Sequence, residues 1–114
     1  MTKLEGGRYQ DVDGHVLPWY TSPCLEWLMG LDLVDKKVFE FGLGDSTLWY
    51  VHNGAESYGV DSEISWCLKV GTINKGYEHT TFMYSYITSI KKYPFQFDFI
   101  VIDGLYRDDC TEYA

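Results

Sequence analysis

Apolar, β-prone runs alternate with helix-like segments along this chain, and that alternation predicts an α/β fold built on a parallel sheet. Three observations carry the expectation. "KVFEFG" (37–42) is a short apolar run that ends in a glycine turn. "FDFIVIDG" (97–104) is apolar at consecutive positions, as a parallel strand buried on both faces should be. Between them, strand-like runs give way to stretches with helical spacing and helix-starting residues.

Each element follows from local chemistry. Residues 1–17 are polar and glycine-bearing and read as an N-terminal arm or loop, with a turn at "DVDG" (11–14). Residues 18–114 form the domain proper. A helix is expected from Ser22, an N-cap residue, with Pro23 at the first helical position and Leu25, Leu28, Met29 and Leu33 along one face. The strand at 37–42 leads into a helix over 45–54, capped by Asp45 or Ser46 and stopped by Gly54. "ESYGVD" (56–61) is the second strand and 62–71 the second helix of the sheet-forming part. "HTTFMYSY" (79–86) is rich in aromatic and β-branched residues and reads as a third strand. The strand at 97–104 precedes a last helix in "YRDDCTEYA". Right-handed crossovers make this a Rossmann-like parallel sheet of about four strands with helices on both faces. Ligands of such sheets bind beyond the carboxyl ends of the strands. Here those ends carry Glu40–Gly44, Asp61–Glu63, Ser85–Tyr86 and Asp103–Gly104.

Composition narrows the function. The chain has 114 residues, 46% of them hydrophobic, which suits one packed domain. Nine Lys+Arg against seventeen Asp+Glu leave a net charge of −8, which opposes binding to nucleic-acid phosphates. No apolar run approaches membrane-spanning length, and "MTKLEGGRYQ" lacks the apolar core of a signal peptide. Cys24, Cys67 and Cys110 form no C-x-x-C pair, which favours reduced thiols in a cytoplasmic setting. His15, His52 and His79 share no metal-ligand spacing. For Trp19, Trp49 and Trp66 core packing is the expected role, with a cofactor lid the alternative for Trp19 or Tyr20.

The glycine turn at 40–46 decides between cofactors. The dinucleotide fingerprint G-x-G-x-x-G fits Gly42 and Gly44, but Thr47 stands where the third glycine belongs. Glu40 also sets a carboxylate where a pyrophosphate would lie. The register E-x-G-x-G-x-S (Glu40, Gly42, Gly44, Ser46) suits a ligand carrying a cationic amine. Glu40 would accept from the ammonium, the glycines would let the backbone pass close, and Ser46 would cap the next helix. Asp61 ends the next strand, where an acidic residue accepts ribose hydroxyls. The bland alternatives are a strand-end carboxylate, a plain tight turn and, for Asp61 and Glu63, capping of the following helix.

These residues resemble the class I S-adenosylmethionine-dependent methyltransferases. The likeness rests on "VFEFGLGDSTLW", "YGVDSEISW" and "FDFIVIDG", with the lead-in "PWYTSPCLEWL" and the tail "IDGLYRDDC", in the family's order. It implies that Glu40, Gly42 and Gly44 contact the methionine part of S-adenosyl-L-methionine and that Asp61 holds the ribose. Ser62 and Glu63 would lie beside the ribose or adenine, and Ser85 would read the adenine. Asp103 would face the methyl group and the acceptor, as the candidate general base. In catechol-type relatives an aspartate there binds a metal. Asp108 and Asp109 stand nearby, but nothing further supports a metal. The motif after the fourth strand, Asp103-Gly104-Leu105-Tyr106, departs from that of nucleic-acid amino-methyltransferases, so the expected acceptor is a small molecule.

The resemblance also implies strands beyond the last one here. The expectation is therefore either a portion of a larger methyltransferase or an edge at 97–102 covered by another chain, such as a second copy. The rival functions are a non-catalytic adenosylmethionine-binding or assembly module and, disfavoured by Glu40 and Thr47, a nicotinamide-dependent oxidoreductase.

Overall fold

A computed structural model describes residues 1–18 and 20–114. Both readings of Trp19 lie outside the described residues. The expected class is what the chain forms: an α/β protein with a four-stranded parallel sheet flanked by helices, consistent with a Rossmann-like fold.

The N-terminal segment folds back on itself. β1 (Thr2–Lys3) pairs antiparallel with β2 (Tyr9–Gln10). The expected turn follows, with Asp11 Oδ1 accepting from the N–H groups of Asp13 and His15 at 3.0 and 2.9 Å. Leu17, fully buried, and Tyr9 tie the segment to the core.

α1 (Ser22–Met29) has Thr21 rather than Ser22 at the N-cap position, and Pro23 lies in its first turn. Leu25 and Leu28 are its buried face. Met29 is exposed, and Leu33 is buried beyond the helix end at Gly30, so the expected apolar face is shorter than the spacing suggested.

β3 (Lys37–Phe41) is the centre of the sheet, between β4 (Glu56–Asp61) and β6 (Phe99–Ile102), and β5 (Gly76–His79) lies outside β4. Successive side chains of a strand point to opposite faces. Val38 therefore joins Leu25, Leu28, Trp49 and Tyr50 on the face covered by α1 and α2 (Asp45–His52). Phe39 and Phe41 join Tyr86, Ile87, Ile90 and Cys110 on the face covered by α4 (Met83–Thr88) and α5 (Arg107–Thr111). A third cluster, Leu43, Cys67 and Val70, seats α3 (Ile64–Val70) against Leu48 of α2. Gly59, opposite Glu40 on β4, is required here: a Cβ would stand 2.4 Å from Leu43 Cδ2 and 2.6 Å from the Glu40 carbonyl oxygen.

The strand expected over 79–86 is not one. The third strand is Gly76–His79, and Met83–Thr88 is helix. Local β-propensity is weaker than the tertiary demand. Tyr86, Ile87 and Ile90 recur at helical spacing and bury one face against Phe39 and Phe41, while residues 81–84 stay exposed. The strand expected over 97–104 is shorter, Phe99–Ile102, and pairs with β3 alone among the described strands. Ile100 is accordingly 39% exposed. No described helix is long and apolar enough to cross a membrane.

Candidate functional site at the glycine turn

The carboxyl ends of β3, β4 and β6 bring Glu40, Asp61 and Asp103 together. Glu40 is fully buried under the glycine turn. The Ser46 hydroxyl donates to its Oε2. Its Oε1 is buried and has no hydrogen-bond partner among the described residues. Burial pushes the Glu40 carboxyl up to about 7, with the hydroxyls of Ser46 and Thr47 opposing the rise and the Asp103 and Asp61 carboxylates adding to it. A buried carboxylate that shares its neighbourhood with two others is costly to ionise unless a cation joins it.

The turn itself has two kinds of glycine. Gly42 adopts φ 105°, and a Cβ there would lie 2.6 Å from the Asp103 carbonyl oxygen. Its glycine is thus demanded by the close passage of the chain after β6. Gly44 is extended, and a Cβ there would make only ordinary contact with the Trp66 ring at 3.7 Å. The fold does not need glycine at 44; its bareness opens onto a cavity of about 310 Å³ lined by Arg8, Gly42, Gly44, Ser46, Trp66 and Asp103. Neither Asp45 nor Ser46 caps α2. Gly44 is the N-cap residue, and its N–H donates to Thr47 Oγ1 at 3.1 Å. Ser46 is occupied with Glu40 instead.

Asp61, 8% exposed, fastens two turns at once. Oδ2 accepts from Leu43 N–H at 2.8 Å and Oδ1 from Glu63 N–H at 2.7 Å. Each carboxylate oxygen keeps a further lone pair, so the carboxylate still has acceptor capacity. Ser62 is half-buried and its carbonyl meets His79 Nε2 at 3.2 Å; Glu63, at the N-cap of α3, is exposed. Ser85 is the residue that does not join the others. Because 83–88 is helical, it lines a separate shallow cavity with Glu78, Thr88 and Lys92, which shares no residue with the glycine-turn cavity. Asp103 stands at the end of β6, paired with Arg107 at 3.1 Å.

Sequence reasoning passed over Arg8 and Tyr50 and offered Tyr20 only as a cofactor lid; Arg8 lines the glycine-turn cavity and the two tyrosines line the cavity beside it. Arg8, from the N-terminal segment, donates to the Leu17 carbonyl at 3.0 Å and to Asp45 Oδ2 at 3.3 Å. Tyr20 and Tyr50 meet hydroxyl to hydroxyl at 3.3 Å, and burial together with nearby Glu40 and Asp103 pushes both phenols up, so they stay protonated at neutral pH. No local pattern marks these residues; a lone arginine in a polar arm and tyrosines thirty positions apart meet only in three dimensions. Among the described residues no group of three His, Cys, Asp or Glu side chains is placed to hold a metal ion.

The fold and this strand-end cluster define a Rossmann-like α/β protein with a buried acidic site. Comparison with known proteins finds no matching family model, no matching curated protein and no matching solved structure.

Proposed function

We propose that the protein binds S-adenosyl-L-methionine at the glycine turn and transfers its methyl group to a small-molecule acceptor. The observation that carries this reading is Glu40: a fully buried carboxylate at the end of the central strand, one of whose oxygens has no partner among the described residues. An ammonium group satisfies that oxygen and offsets its buried charge. A pyrophosphate does neither, which is why the nicotinamide reading is not favoured.

In this reading Glu40 takes the ammonium of the methionine part, and the bare backbone at Gly44 lets that part lie against the turn. Asp61 uses its remaining lone pairs for the ribose hydroxyls, with Ser62 and Glu63 alongside. The donor supplies a methyl carbon on a good, neutral leaving group, so the protein mainly aligns the partners. Asp103, on the wall of the same cavity, orients the acceptor or takes its proton. The free cysteines suit a reducing, cytoplasmic setting.

Calorimetric titration with S-adenosylmethionine, S-adenosylhomocysteine and NAD tests the reading. The expected result is binding of the first two, lost in Glu40→Ala and weakened in Asp61→Asn. Binding of NAD alone overturns it. Binding without turnover on any acceptor converts it to a non-catalytic adenosylmethionine-binding module.

A further inference from the structure

We propose that the cavity between α1 and β6 is the acceptor pocket of the methyl transfer proposed above, and that it takes an amine carried on an apolar, ring-sized body. The inference rests on the adenosylmethionine reading and adds a second site and a substrate class to it.

The cavity measures about 420 Å³ and is walled by Trp27 and Leu28 of α1, by Tyr20 and Tyr50, and by β6 from Phe99 to Ile102. Asp103 is part of the same lining. The same residue lines the glycine-turn cavity, so the two cavities meet at a single acidic residue. That juxtaposition is what a transfer between two bound molecules requires.

The chemistry of the walls selects the occupant. Most of the lining is aliphatic or aromatic and suits a flat apolar body. The polar groups are the Tyr20–Tyr50 hydroxyl pair and the Asp103 carboxylate. The cation that pairs with Asp103, Arg107, keeps 64% of its side chain in solvent. Asp103 is the one charged side chain among the described lining residues and Arg107 lies outside the lining, so an N–H-bearing or cationic group is complementary to it. The exposed Trp27 ring adds a face for a cation. In the transfer the bound ammonium would first give a proton to the Asp103 carboxylate, which frees the nitrogen lone pair. That lone pair would form the C–N bond at the methyl carbon of S-adenosylmethionine as the C–S bond breaks with its electron pair left on sulfur, and the product would leave as the methylated ammonium.

The test uses the whole chain saturated with S-adenosylhomocysteine and titrated with 2-phenylethylamine and its neutral isostere 2-phenylethanol. The amine is expected to bind about tenfold more tightly than the alcohol, with the preference lost in Asp103→Asn. Trp27→Ala, at an exposed position, should weaken the amine about fivefold and leave S-adenosylhomocysteine binding unchanged. Equal binding of amine and alcohol overturns the substrate class. Binding of S-adenosylhomocysteine with no probe bound, or a sedimenting dimer that excludes the probe, overturns the pocket while leaving the cofactor reading intact. Failure of S-adenosylhomocysteine itself to bind removes both.

Discussion

The two faces of β3 are built from alternate residues of one five-residue strand, yet they do opposite things. Phe39 and Phe41 point into an aromatic packing that includes Tyr58, Tyr93 and Phe97, with edge-to-face rings 4.8 to 6.0 Å apart around Phe39. Val38 and Glu40 point the other way, and there the carboxylate is enclosed with one oxygen unanswered among the described residues. One face is closed by shape; the other is left with an electrostatic debt that a ligand can cancel. The comparison teaches that stability and function divide by the strand's period of two, so substitutions one residue apart should differ in kind.

The largest effect is expected on the closed face. Phe39→Ala removes a fully buried ring and should cost about 3–5 kcal/mol of unfolding free energy. Val38→Ala, equally buried on the other face, should cost about 2 kcal/mol. Urea unfolding of both variants checks this, and equal losses would break the division.

Glu40→Gln should have the opposite sign. The folded carboxyl titrates at about 7 against 4.5 for the ordinary group. A raised carboxyl means the folded state holds its proton longer than the unfolded state, so stability is greatest below about 4.5 and falls as pH rises through about 7. Removing the ionisable group should therefore stabilise the free protein by up to about 3 kcal/mol at pH 8 and change little at pH 4. Thermal melts of both proteins across that range read the difference. The same titration predicts that affinity for S-adenosylmethionine rises with pH through about 7, because the ammonium prefers the ionised carboxylate. A variant that loses stability at pH 8 would show that Glu40 is a structural group already satisfied.

How far these features were legible follows the same split. The apolar run at 37–42, the glycine turn and the apolar run at 99–102 are local, so the existence of these strands could be read directly, while their places at the centre and edge of the sheet could not. Glu40 stood out because it sets a carboxylate beside a glycine turn, where a pyrophosphate is disfavoured and an ammonium is not. The helix at 83–88 was read as a strand because its aromatics have high β-propensity, and only the burial of Tyr86, Ile87 and Ile90 against the sheet reveals the helical period. Gly59 gave no signal either, since its need for a missing Cβ depends on Leu43. Arg8 and the Tyr20–Tyr50 pair enter the site through tertiary contacts alone, and Ser85 leaves it for the same reason.

Ser46→Ala probes how tightly the open face is held. Its hydroxyl is the donor to Glu40 Oε2, and losing it should cost about 1 kcal/mol at pH 8, where the carboxylate is charged. At pH 4 the loss should shrink, which a melt at each pH measures. A pH-independent loss would mean that Ser46 acts through packing at the start of α2 rather than through the carboxylate.

The smallest effect is expected at the rim, where Arg107 meets Asp103 at 3.1 Å with side chains 64% and 43% exposed. Solvent screens such a pair, and holding two mobile side chains together offsets much of the attraction, so Arg107→Ala should change stability by less than about 0.5 kcal/mol. Its effect on binding has a different origin. Arg107 competes with any cationic ligand for the Asp103 carboxylate, so removing it should tighten 2-phenylethylamine by about twofold and leave 2-phenylethanol unchanged. Calorimetry with the two probes separates the cases. Tightening of both would point to a cleared steric path, whereas a selective gain places Asp103 on the functional face, where charge rather than packing sets the outcome.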